Sequence, residues 1–139
     1  MVSDDVIVIQ FPRANIPSDC TKWLPGKEAV WFKVAEGGRH ADGTWASEIL
    51  EKEGNPGYQY TIPECLENGA YLVRTEVVAY HSGTQYFPGC HQIKVSDGRN
   101  KKPANLVSFP GAYKDFEYGA GKRDTSIPYT IPGPKLFTC

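Results

Sequence analysis

An antiparallel all-β fold, closed as a sandwich, is the architecture that this chain's turns and periodicities predict. Fourteen glycines and eleven prolines make up about 18% of its 139 residues, against an ordinary combined share of about 12%. Short apolar runs sit between them, and several alternate with a period of two, the spacing that puts every second side chain on one face of a strand. Ala- and Leu-rich stretches of helical period are scarce, which argues against a helical bundle. The length of 139 residues is one domain's worth, so a single domain over 1–139 with one core is expected.

The first strand is the continuous β-branched run Asp5-Val6-Ile7-Val8-Ile9-Gln10-Phe11, ended by Pro12, because proline removes the backbone donor that a ladder needs. A loop with Pro17, Pro25 and Gly26 leads to Ala29–Glu36, which alternates as a strand and stops at Gly37-Gly38. Residues 39–55 are polar, with one short helical possibility over Trp45–Lys52. Tyr58-Gln59-Tyr60-Thr61-Ile62 alternates with period two and reads as a further strand. After Pro63 and the Asn68-Gly69 turn comes a long strand, Tyr71–His81, with Tyr71, Val73, Thr75 and Val77 on one side and Leu72, Arg74, Glu76 and Val78 on the other. Ser82-Gly83 turns the chain into Tyr86-Phe87 and Gly89–Val95, a hairpin partner that ends at Asp97-Gly98. From Lys101 to Cys139 prolines recur, and this segment is expected to run extended, touching the sheet through Leu106-Val107-Ser108-Phe109.

A net charge of −1, with no basic run longer than Arg99-Asn100-Lys101-Lys102, gives no electrostatic footprint for nucleic acid or a membrane surface. No apolar window is long enough to span a bilayer, and Met1-Val2-Ser3-Asp4-Asp5 has neither the basic nor the apolar region of a signal peptide. Cys20, Cys65, Cys90 and Cys139 lie 45, 25 and 49 residues apart, so none has the C-x-x-C spacing of zinc or redox sites. An even count in a loop-rich chain fits disulfides made in an oxidising compartment, with three pairings open. Secretion is therefore expected, with any leader standing ahead of Met1. His40, His81 and His91 fall on separate segments without i, i+2 or i, i+4 spacing, and solvated or hydrogen-bonded imidazoles explain them without a metal. Phosphate loops, nucleophile elbows and a recognisable glycosidase carboxylate pair are not found. Eight tyrosines and three tryptophans could stack on sugar rings, although most aromatics in a sandwich pack its core.

Several ordered motifs are more specific than composition. Ile62–Glu76, then Ala79-Tyr80-His81-Ser82, Gly83–Cys90, Phe109-Pro110-Gly111-Ala112-Tyr113-Lys114 and Tyr129-Thr130-Ile131-Pro132-Gly133-Pro134 resemble the fungal copper-dependent lytic polysaccharide monooxygenases of auxiliary activity family nine, and Trp31-Phe32-Lys33-Val34 is similar to that family's Trp-Phe-Lys-Ile strand. The resemblance covers roughly residues 3–139 and corresponds to the C-terminal part of the family domain. It implies an immunoglobulin-like or fibronectin-like antiparallel β-sandwich, truncated, with long loops and little helix. It further implies secretion, copper as cofactor and cellulose as substrate.

The family's copper sits in a histidine brace made by an N-terminal His and a second His ahead of the strand matching Val6–Phe11. Ser3-Asp4-Asp5 stands where the second is expected, and Met1 supplies no imidazole. Around the metal, the resemblance assigns His81 and Gln85 to groups that steer oxygen and Phe87 to the position of an axial Tyr, while Tyr129 is a candidate sugar contact. His81 and Gln85 could equally form a structural hydrogen-bonded pair, since such groups orient a metal's ligands without holding the metal. By resemblance Cys65 pairs with Cys139, and Cys90 is left with Cys20 or an intermolecular bridge.

The functional expectation is a relative of the cellulose-active enzymes that keeps weak polysaccharide contact without tight copper. The alternatives are active copper-dependent cleavage of cellulose and a secreted protein-interaction or effector scaffold. A sandwich without its front leaves edges unpaired and an apolar sheet face open, for example the Val6/Val8 or Tyr71/Val73 side, so either the strands repack, or two copies associate as a homodimer through that face or edge, or the chain is a truncated product that folds poorly.

Overall fold

The computed structural model describes residues 23–79, 84–113 and 130–139, and the backbone of 6–12. Four strands, β1 (Val6–Pro12), β2 (Trp31–Gly37), β3 (Gly69–Ala79) and β4 (Gln85–Val95), form one antiparallel sheet in the order β2-β1-β3-β4. The β-branched run of β1 lies between β2 and β3, where extended backbone is hydrogen-bonded on both sides. The β1–β2 register slips at Ile9/Gln10, since Ile9 faces Ala35 while Gln10 faces Lys33, which leaves Val34 as an extra residue on β2.

Residues paired directly across a ladder point to the same face, so the register sorts the sheet into two sides. One side carries Phe32, Tyr71 and Val73, which with Val34, Ala46 and Leu66 make the buried apolar cluster. The other carries Lys33, Glu36, Arg74 and Glu76, two ion pairs set in the rows of Gln10 and Val8. Both sides are covered at β2 and β3, whereas β4 is exposed over residues 85–92. Tyr71 and Val73 are buried, so the expectation that their side of the sheet lies open is corrected: Leu66, Tyr58, Tyr60 and Phe137 pack there.

Further elements differ from the sequence reading. Tyr58–Ile62 is not a strand. Its alternation holds over residues 58–61, with Tyr58 and Tyr60 packed against the core and Gln59 and Thr61 exposed, and breaks at Ile62, which is exposed as well; it has no ladder partner among the described residues. Gly37 admits Tyr58, because a Cβ there would stand 3.1 Å from the Tyr58 ring and 2.9 Å from the Ala46 Cβ. The helix, α1 (Ala46–Leu50), is shorter than the 45–52 reading. The Glu48 carboxylate accepts the Trp45 N–H at 3.3 Å at its start, and Asn55 Nδ2 donates to Ile49 O at 2.7 Å beyond its end. Tyr86-Phe87 and Gly89–Val95 join into one strand through Pro88, which β4 tolerates as the sheet's edge.

The opposite edge, β2, is sheathed by later chain. Trp31 N donates to Val107 O at 3.0 Å and Val107 N returns the bond at 2.8 Å, so the expected contact through 106–109 is made. Phe137 N donates to Lys33 O at 2.8 Å, beside a parallel pairing of Lys33 with Leu136. This strap is fixed by the disulfide Cys65–Cys139 and by Lys101 Nζ, which donates to the carbonyls of Thr138 and Cys139 at 2.9 Å each.

Candidate functional site

Of the residues assigned by motif, Gln85 and Phe87 lie on β4 of the β3–β4 hairpin. Ala79 pairs with Gln85 and Val77 with Phe87, so Gln85 and Phe87, two apart, share one face of β4. Gln85 is exposed and Phe87 is 56% exposed, an unusual position for a bare phenyl ring. His81 belongs to the connection between these strands and, like Tyr129 and Cys20, lies outside the described residues. Of the other histidines, His91 is exposed on β4 opposite Val73, and His40 is exposed and donates its backbone N–H to Thr44 O at 2.7 Å.

Among the described residues no three His, Cys, Asp or Glu side chains converge. Copper sites use imidazole and thiolate donors; Gln85 offers only an amide and Phe87 nothing. The described donor set does not fit a copper centre. Cys65 and Cys139 are bridged, with Cα atoms 5.7 Å apart, while Cys90 is a free exposed thiol. Cys90 sits on the exposed edge strand in register with Arg74, while Cys20, the other half of the intrachain pairing weighed against an intermolecular bridge, lies outside the described residues.

A second constellation was not singled out from the sequence. On the opposite face of β3, Arg74 Nη2 bonds Glu76 Oε1 and Tyr113 Oη donates to Glu76 Oε2 at 2.6 Å. Glu76 is 1% exposed. The Arg74 guanidinium lies over the Phe109 ring at 4.1 Å from its centroid, and Tyr86 stacks on Tyr113 at 5.3 Å and 12°. Burial works against the Arg74 charge, but the hydrogen bond and charge of Glu76 outweigh it and hold the guanidinium above its usual value. Burial, with the Glu76 charge, pushes the Tyr86 phenol up. These side chains, with Pro110 and Gly111, line a cavity of about 410 Å³. Its signal in the sequence was a pair of opposite charges two apart in a strand whose other residues, Thr75 aside, are uncharged and apolar, hence on one face and within reach of each other.

Residues 9–127 match the sequence profile of Auxiliary Activity family 9, formerly GH61. The chain belongs to Auxiliary Activity family 9. It is 43% identical over 132 residues to the AA9 family lytic polysaccharide monooxygenase B of Malbranchea cinnamomea, covering 90% of this chain and 53% of that protein. With the AA9 family lytic polysaccharide monooxygenase F of Podospora anserina it shares 50% identity over 154 residues, covering 95% and 57%. The chain thus spans about half the length of these curated relatives.

Among solved structures, a cellulose-active polysaccharide monooxygenase from M. thermophila superposes with a TM-score of 0.81 at 31% identity, over 99% of this chain and 67% of that one. Cel61B of Hypocrea jecorina, a glycoside hydrolase family 61 member, gives 0.83 at 27%, over 99% and 62%. The all-β sandwich class expected from the sequence therefore stands, and the AA9 resemblance drawn from its motifs is correct.

Proposed function

We propose that this AA9 chain is a single-domain, secreted polysaccharide-contacting protein, with cellulose as its sugar, in which the family's copper brace is not formed. The observation that carries the reading is Phe87: where the family motif has a tyrosine, whose phenol could serve a metal, an exposed phenyl ring with no donor atom stands two residues from Gln85 on the same face of β4. Ser3-Asp4-Asp5 at the place of the second brace histidine supports it from the sequence. Gln85 and Phe87 then offer a polar and aromatic surface on β4, and by their motif positions His81 is assigned to the same contact and Tyr129 to stacking on a pyranose ring. Cellulose activity in the solved relative from M. thermophila supports the choice of sugar.

Calorimetric titration of the 139-residue chain with Cu(II), read alongside electron paramagnetic resonance and a cellulose pull-down, tests this. Cellulose capture that survives a chelator, with only weak copper uptake, is the expected result. Tight one-to-one copper with a nitrogen-rich signal overturns it in favour of active oxidative cleavage, the reading that the retained His81 and Gln85 favour. Neither property leaves the protein-interaction scaffold.

A further inference from the structure

The cavity on the ion-pair face of β3 has the composition of a binding site. Its volume, about 410 Å³, lies within the ordinary range for small-molecule sites, about 300–1,000 Å³. Its walls are aromatic: Phe109 stands edge-on to Tyr113 at 5.3 Å, and Tyr113 stacks with Tyr86, which is 39% exposed. One polar group in this wall is unsatisfied. Arg74 Nη1 is buried and has no hydrogen-bond partner among the described residues, although Nη2 of the same guanidinium bonds Glu76. A buried donor left unpaired is costly, and a ligand oxygen placed there removes that cost.

Charge narrows the ligand. The Arg74 charge is already balanced by Glu76, whose two oxygens are occupied by Arg74 and Tyr113. An incoming anion would add an uncompensated negative charge beside a buried carboxylate, whereas a neutral acceptor meets only the free N–H groups. We propose that this cavity binds a neutral, planar aromatic molecule carrying a carbonyl oxygen, its ring against Tyr86, Tyr113 and Phe109 and its oxygen on Arg74 Nη1. The site is on the opposite face of β4 from Gln85 and Phe87 and does not depend on the cellulose reading.

Benzamide is the probe and nitrogen-15 NMR of the full chain the readout. Saturable one-to-one shifts at Gly111 and Tyr113 are expected, with a dissociation constant of about 1 mM or below for a ligand this small. Benzoate, of the same shape but charged, should bind at least about fivefold more weakly, as should Tyr86→Ala, while Tyr86→Phe keeps the ring and the affinity. Tyr86 lies on the edge strand, and an unchanged spectrum away from the cavity verifies that Tyr86→Ala folds. Absent or unsaturable shifts, equal binding by benzoate, or undiminished binding by Tyr86→Ala each overturn the proposal. So do shifts at Gly111 that depend on protein concentration without benzamide, which would place a second copy in the cavity.

Discussion

Lys33 Nζ donates to the backbone carbonyl of Pro132 at 2.7 Å, from a side chain only 1% exposed and 99 residues earlier in the chain. The same ammonium reaches Glu36 Oε2 at 2.7 Å. One buried cation thus ties the strand β2 to the strap that closes its edge.

Lys33→Met keeps most of the side-chain volume and removes both bonds, leaving the Pro132 carbonyl without its donor. A stability loss of about 1–3 kcal/mol is expected in urea unfolding. A change below about 0.5 kcal/mol would mean that the strap is held without this ammonium.

The disulfide Cys65–Cys139 closes a loop with a sequence separation of 74. Cys65→Ser, or reduction, is expected to lower stability by about 4 kcal/mol on the chain-entropy relation. Thermal unfolding with and without reductant measures it, and coincident curves would show that the bridge adds nothing.

Gly98 is held against backbone: an added Cβ would fall 2.1 Å from Leu66 O, and the Gly98 N–H donates to Asn68 Oδ1 at 2.7 Å. Gly98→Ala should therefore destabilise by about 1–3 kcal/mol or more through forced backbone movement. Gly43→Ala, where the space is open and only a φ of +90° resists, should cost less, about 1 kcal/mol. Equal losses in the two variants would contradict the contact at Leu66.

Burial raises the phenols of Tyr58, Tyr60, Tyr71 and Tyr86 above the ordinary value of 10.0. The folded chain thus holds these protons more tightly than the unfolded one. Their share of stability is complete below pH 10 and falls as pH rises from there through the higher folded values. Denaturant midpoints should drop above pH 10 in step with phenolate absorbance. A flat midpoint across that range would refute the assignment.

Strand identity was legible because β1, β3 and β4 carry their own patterning and their stops, Pro12, Gly69 and Asp97-Gly98. Tyr58–Ile62 misled for a physical reason: a coil laid along a core also alternates inward and outward, and only a partner strand distinguishes the two. The motif residues Gln85 and Phe87 were picked out by their resemblance to the family's motif and not by spacing, and the register set them on one face. The Arg74–Glu76–Tyr113 cluster was not, because Tyr113 arrives from a loop 37 residues beyond Glu76 and nothing local announces that meeting. Coverage of the Tyr71/Val73 side was missed likewise, since it comes from helix, loop and strap rather than from another strand.

The strap that sheathes β2 also sets an order of events during synthesis. The Lys33 ammonium waits 99 residues for the Pro132 carbonyl, about 5–20 s at the pace of a ribosome. Until then, the nascent chain carries a strand edge whose donors and acceptors are open to other molecules. The interval is when this chain most needs a chaperone, and variants of the strap should show their harm in the yield of native protein before they show it in the stability of what has folded.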